Sequence, residues 1–178
     1  MTIANATTAL PSVLIDNFGR RISYLRLSIT DRCNLRCKYC MSEDGVRFLN
    51  HDEILSYEEL ERLVSISLQL GIEKFRITGG EPFARKGCMA FLERLKVEHG
   101  VKNLFITTNG VAVSPHLSDL KRIDLSGINL SLDTMDRERF KEITRRDHFE
   151  NVISVFHEAL RREIPLKVNS VVQSETSD

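Results

Sequence analysis

Asp31-Arg32-Cys33-Asn34-Leu35-Arg36-Cys37-Lys38-Tyr39-Cys40 places three cysteines in CxxxCxxC spacing directly after a strand-like run, Tyr24 to Thr30. Three thiolates this close can hold one metal centre. A fourth ligand would close a structural zinc site, whereas a cubane [4Fe-4S] cluster held by only three cysteines keeps one iron open. An open iron can bind a small chelating molecule, so the spacing points to chemistry rather than to a staple. The alternative is a zinc site completed by His51 or by the remaining cysteine, Cys88.

Working outward, Leu25, Leu27 and Ile29 alternate with Arg26, Ser28 and Thr30, the pattern of a strand with one apolar face. The polar run Ser42 to Asp52 prolongs the cysteine loop into a connection longer than most between a strand and a helix. Ser56 and Glu59 then form a capping box for a helix carrying Leu60, Leu63, Val64 and Leu68, which Gly71 stops. A second strand, Glu73 to Thr78, ends in Gly79-Gly80-Glu81-Pro82. Glycines there either let a ligand approach the backbone or make a tight turn. The next helix has Cys88, Phe91, Leu92 and Leu95 at i, i+3, i+4 and i+7, so Cys88 reads as a core residue.

A third strand, Lys102 to Thr108, leads into Asn109-Gly110. Ser114-Pro115 reads as an N-cap and first helical position of a short helix to about Lys121. The fourth strand is Gly127 to Leu132. A helical region follows to about Arg162, with a break around Arg145 to His148 and an apolar stripe of Val152, Val155, Phe156, Ala159 and Leu160. Pro165 ends it, and Leu166 to Val172 forms the last strand.

Strands separated by helical crossovers must be parallel, with right-handed connections. Parallel strands covered on both faces read as continuous apolar runs, yet all five here alternate, so one face looks into a polar cavity. The expected fold is therefore α/β: a partial (β/α) barrel of five parallel strands with outer helices, open at its C-terminal edge, with its site at the C-terminal strand ends. Sorting by period two places Arg26, Lys74, Arg76 and Lys167 on the polar face. Ser28, Thr78, Thr107, Asn109, Asn129, Ser131, Asp133 and Asn169 share it. Four cations against one acid call for an anionic ligand, and arginines suit phosphate.

The whole chain of 178 residues balances 25 basic against 25 acidic side chains, so no global field marks nucleic acid or membrane as a partner. Clustered thiols that must stay reduced imply a cytoplasmic setting. The first nineteen residues hold no Lys or Arg, which argues against a targeting leader. Residues 1–17 are expected to be a flexible arm and residues 18–178 a single core domain.

The cysteine motif with Tyr39 before its last cysteine resembles the signature of the radical S-adenosylmethionine (SAM) superfamily. Within it, five stretches taken in order are similar to the GTP 3′,8-cyclase family, which acts in molybdenum-cofactor biosynthesis. They are Leu25 to Asn34, Arg76 to Pro82, Thr107-Thr108-Asn109-Gly110, Ser131-Leu132-Asp133 and Lys167-Val168-Asn169. The resemblance implies a [4Fe-4S] cluster on Cys33, Cys37 and Cys40 whose open iron chelates SAM. It implies SAM contacts from Tyr39, Gly80, Glu81 and Ser131, and GTP contacts from Arg26, Arg76, Thr107 and Lys167. An electron donor would reduce the cluster, and a 5′-deoxyadenosyl radical would take the C3′ hydrogen of GTP. Members of the cyclase family are longer, with a sixth strand and a second cluster. The chain is thus expected to be truncated after its fifth strand, its open edge left for a C-terminal half or a second copy. Two other readings stand beside this one: a peptide-modifying radical SAM enzyme, and a metal-binding fragment without turnover.

Overall fold

The structure is a computed structural model, and it describes residues 13–173. Most of the expected arm, residues 1–12, lies outside the described residues. Its last part is not a loose arm: β1 (Leu14–Ile15) pairs antiparallel with β2 (Arg21–Ile22). Asp16 closes the turn between them by accepting from the backbone N–H groups of Phe18 and Arg20, both at 2.9 Å.

The main sheet holds β3 (Tyr24–Ser28), β4 (Lys74–Thr78), β5 (Asn103–Thr108), β6 (Gly127–Ser131) and β7 (Leu166–Asn169). All neighbours are parallel, and their spatial order is their order in the chain. Right-handed crossovers in a sequential sheet put every helix on the same face, the winding of a barrel. Among the described residues β3 and β7 each have one neighbour in this sheet, so the barrel is partial and its wall has two free edges. The first and last strands end earlier than their alternation predicts, at Ser28 and Asn169.

The covering helices are α1 (Tyr57–Gln69), α2 (Cys88–Val97), α3 (Leu117–Arg122), α4 (Arg137–Thr144) and α5 (Phe149–Arg161). Ser56 and Glu59 form the expected capping box at the start of α1. Ser114 departs from expectation: it opens a short 3-10 turn, Ser114–His116, and caps nothing with its side chain. One apolar core joins sheet and helices, with Phe75, Ile77, Leu104, Ile106 and Leu130 buried from the strands and Val64, Phe91, Leu95, Val152 and Val155 from the helices. Each such side chain contributes about 1.5–3 kcal/mol on burial. Cys88 lies in this core, as its phase in α2 predicts.

Candidate functional site

The opposite face of the sheet carries the polar residues in rows set by register. Arg26 pairs with Arg76, which pairs with Phe105. Thr107, Asn129 and Lys167 align in the next row toward the C-terminal ends, and Ser131 with Asn169 in the one beyond. Contacts confirm the shared face. Arg76 Nε donates to Tyr24 Oη at 2.6 Å, and its Nη1 to Thr107 Oγ1 at 3.3 Å. Lys74 Nζ lies over the Phe105 ring at 4.6 Å and the Tyr24 ring at 5.3 Å, so two aromatics line a face that alternation marks only by its polar residues. Among the described residues none of Arg26, Lys74, Arg76 and Lys167 is in an ion pair. The acid of this face, Asp133, bonds instead to Tyr39 and to the backbone after β7.

The cysteine loop leaves the C-terminal end of β3 and is fixed from two sides. On one side it meets the Gly-Gly turn after β4: Gly80 N–H donates to Thr30 O and Glu81 N–H to Arg32 O, both at 2.7 Å. A Cβ on Gly80 would stand 2.4 Å from Arg32 O, and one on Gly79 2.5 Å from Thr30 O. Both glycines are thus demanded by close packing of backbone on backbone. On the other side Arg36 N–H donates to Thr144 O and Lys38 N–H to Ile143 O, both at 2.9 Å, at the C-terminal end of α4. Arg145, in the expected helix break, takes the left-handed conformation at φ 55°. Its guanidinium Nη1 donates to Arg36 O at 3.0 Å and Met41 O at 2.9 Å, clamping the segment that holds Cys37 and Cys40.

Cys33 and Cys37 are half-buried and Cys40 is exposed; all three are free thiols. Burial raises the pKa of Cys33 and pushes Cys37 up to about 11, so binding a metal displaces their protons. Cys33 Sγ accepts from Leu35 N–H at 3.5 Å and faces Asn109 Nδ2 at 3.6 Å, the N–H donors that a metal-bound thiolate uses. A cubane gives each thiolate its own iron and takes its ligands spread apart. Three thiols on one loop, one of them with two N–H donors at its sulfur, fit the cluster. Cys88 sits 2% exposed in the core, and the side chain of His51 lies outside the described residues.

Tyr39 Oη donates to Asp133 Oδ2 at 2.7 Å, so the loop reaches the end of β6. Glu81 is turned inward instead of toward a ligand. It is fully buried, with Oε1 accepting from Thr108 Oγ1 at 2.8 Å and Phe83 N–H at 3.1 Å, and Oε2 accepting from Asn109 N–H at 2.7 Å. Burial raises its pKa against the pull of these bonds. Alternation placed Asn109 and Asp133 on the polar face without giving them partners, and it gave Arg145 no place beyond the helix break. A groove of about 700 Å³ lies not on the polar face but beside the ends of β6 and β7, lined by Asp133, Met135, Phe156, Val168 and Ser170 among others. A sheet with two free edges leaves its polar face open rather than enclosed.

Fold and loop together define a class: a partial (β/α) barrel that carries a three-cysteine loop at its C-terminal strand ends. The chain belongs to the radical SAM superfamily, whose family model matches residues 27–178. Enzymes of this family use a [4Fe-4S] cluster and S-adenosylmethionine. Among curated proteins the chain is 48% identical over 165 residues to the GTP 3′,8-cyclase of Thermodesulfovibrio yellowstonii, covering 92% of this chain and 51% of that protein. It is 46% identical to that of Geobacter sulfurreducens, covering 93% and 51%. The chain thus spans about half the length of the curated relatives it matches. Among solved structures, SuiB of Streptococcus suis bound to its precursor peptide SuiA superposes with a TM-score of 0.72 at 20% identity, over 93% of this chain and 34% of that one. Histidine-tagged anSMEcpe with bound AdoMet gives 0.69 at 24% identity, over 87% and 44%. These likenesses show the fold. Among the described residues no helix is long and apolar enough to cross a membrane.

Proposed function

We propose that the chain is the radical SAM core of a GTP 3′,8-cyclase, a cytoplasmic lyase that forms (8S)-3′,8-cyclo-7,8-dihydroguanosine 5′-triphosphate for molybdopterin biosynthesis. The observation that carries this reading is the set of ion-pair-free cations in adjacent rows below the cysteine loop. Arg26 and Arg76 would grip the triphosphate from one row, and Thr107 and Lys167 from the next. Identity of 48% with a protein named for this activity supports it. A peptide substrate would give Arg26, Arg76 and Lys167 no shared partner, and a fragment without turnover would have no use for them.

Cys33, Cys37 and Cys40 would hold the cluster, with Tyr39, Gly80 and Ser131 around bound SAM. Glu81 would act on SAM through the backbone it fixes, since its carboxylate is already engaged. Held by these cysteines and reduced by an electron donor, a cluster would supply the electron for cleaving the carbon–sulfur bond of SAM. The residues of this chain would bind the nucleotide and aim its ribose at the strand ends. A further chain segment or a second copy would cover the open edge at β7.

Calorimetric titration of GTP into anaerobically reconstituted protein tests the proposal. Replacing Arg26, Arg76 or Lys167 by Ala weakens binding by about 1.5–3 kcal/mol each, the scale of a hydrogen bond to a charged group. Affinity unchanged in all three variants would rule it out and favour the peptide-directed reading.

A further inference from the structure

Asn109 follows β5, is 9% exposed, and has every polar side-chain atom engaged. Its Oδ1 accepts from Val111 N–H at 3.0 Å, while its Nδ2 donates to Asn34 Oδ1 at 2.7 Å and faces Cys33 Sγ at 3.6 Å. The Val111 bond settles which end of the amide is nitrogen, because the flipped group would set an N–H against an N–H. Glu81 Oε2 holds the Asn109 main-chain N–H, and Thr108 Oγ1, donating to the same carboxylate, accepts from Gly110 N–H at 3.1 Å. The side chain is therefore locked before any cofactor arrives. Among the described residues Cys33 is the loop cysteine with a side-chain amide donor at its sulfur.

We propose that Asn109 is a positioning residue that sets the reduction potential of the cluster through an N–H···S bond to Cys33, with the buried carboxylate of Glu81 fixing its place. The proposal rests on the reading of Cys33 as a cluster ligand. Reduction adds one electron to the cluster, and part of the added charge resides on the thiolate sulfurs. A donor aimed at one of them stabilises the more negative state and makes the cluster easier to reduce. Leu35 N–H supplies a backbone donor to the same sulfur, which side-chain replacement leaves in place. The effect attributed to Asn109 is thus separable from it.

The test is an EPR-monitored dithionite titration of reconstituted wild-type, N109A and N109D proteins, with iron per chain measured alongside. Both variants are expected to retain iron and to reduce at a lower potential. At the wild-type midpoint their reduced-to-oxidised ratio falls several-fold, furthest in N109D, which also adds a charge. An unchanged potential in both, at full iron content, overturns the proposal. Where a variant does not load iron, the readout moves to reduced N34D protein labelled with ¹⁵N in its asparagine amides. That background keeps the Oδ1 acceptor and removes the other nearby amide nitrogen. A ¹⁵N coupling to the cluster spin is expected in ENDOR, and its absence overturns the proposal. A wild-type protein that takes up no iron overturns the ligand reading and this inference with it, and the iron assay tells that failure from the others.

Discussion

The phenol of Tyr39 and the carboxylate of Asp133 meet at 2.7 Å across 94 positions of sequence, tying the cysteine loop to the end of β6. The other carboxylate oxygen, Oδ1, accepts from Val171 N–H at 2.8 Å, so Asp133 also anchors the segment after β7. Burial and the neighbouring carboxylate raise the pKa of Tyr39, which keeps the phenol protonated and donating well above neutral pH. Tyr39→Phe removes this bond and the hydroxyl's contact with the Cys37 thiol, and is expected to cost about 0.5–1.5 kcal/mol because the ring is partly exposed. Asp133→Ala, which frees both partners, is expected to cost more. Urea midpoints at unchanged slope measure the difference, and a larger loss in Tyr39→Phe would contradict the two-sided role of Asp133.

Gly80 is the position where the smallest addition does the most harm. A Cβ there meets the carbonyl oxygen and carbon of Arg32 at 2.4 and 2.7 Å, backbone atoms that cannot move without shifting the loop. Gly80→Ala is expected to destabilise by about 1–3 kcal/mol or more and to lower iron uptake. Gly100→Ala is the control. Its Cβ finds open space, so only the positive φ is strained, at about 1–2 kcal/mol, and iron uptake is unaffected. Equal iron content in the two variants would show that the loop tolerates separation from the turn.

Reconstituted protein is expected to hold about four irons per chain, lost on replacing Cys33, Cys37 or Cys40 by Ala. Cys88→Ala retains the iron and costs about 1 kcal/mol of stability as a small cavity in the core. Iron and sulfide assays with thermal unfolding separate the two effects. Stoichiometric zinc in protein purified without oxygen would contradict the assignment.

Arg145 occupies a left-handed helix end that glycine fills at lower cost, and its guanidinium is what the site gains in return. Arg145→Gly should therefore relieve about 1–2 kcal/mol of backbone strain while freeing the carbonyls of Arg36 and Met41. The expected signature is divided: little change in thermal stability, but faster loss of iron to a chelator, partly rescued by Arg145→Lys. Unchanged chelation kinetics would show that the clamp does not hold the loop.

Sequence by itself determined the strands, their parallel sense and the sorting of faces, because each rests on local periodicity. Leu27, Phe75, Ile77, Leu104 and Ile106 went into the core and Arg26, Arg76 and Thr107 onto the polar face, since a period of two leaves no other choice once one face is covered. The Ser56–Glu59 capping box and the break before α5 were legible for the same reason, as contacts within one turn of chain. The CxxxCxxC spacing marked a metal centre but left zinc open, and the cluster came from the resemblance of the surrounding stretches.

Tertiary structure decided where groups distant in sequence meet. The two glycines after β4 read equally as a ligand cradle or a tight turn, and only the approach of Thr30 and Arg32 shows that backbone packing requires them. Glu81 looked available to a ligand until Thr108 and Asn109, on the next strand and just past it, enclosed it. Periodicity put Asp133 on the polar face and gave Arg145 no place, and it named a partner for neither, because those partners lie 94, 109 and 104 positions away. Periodicity fixes which face a side chain takes. Which group it finds there is set by how far apart the loops are brought, and that distance is a property of the folded sheet.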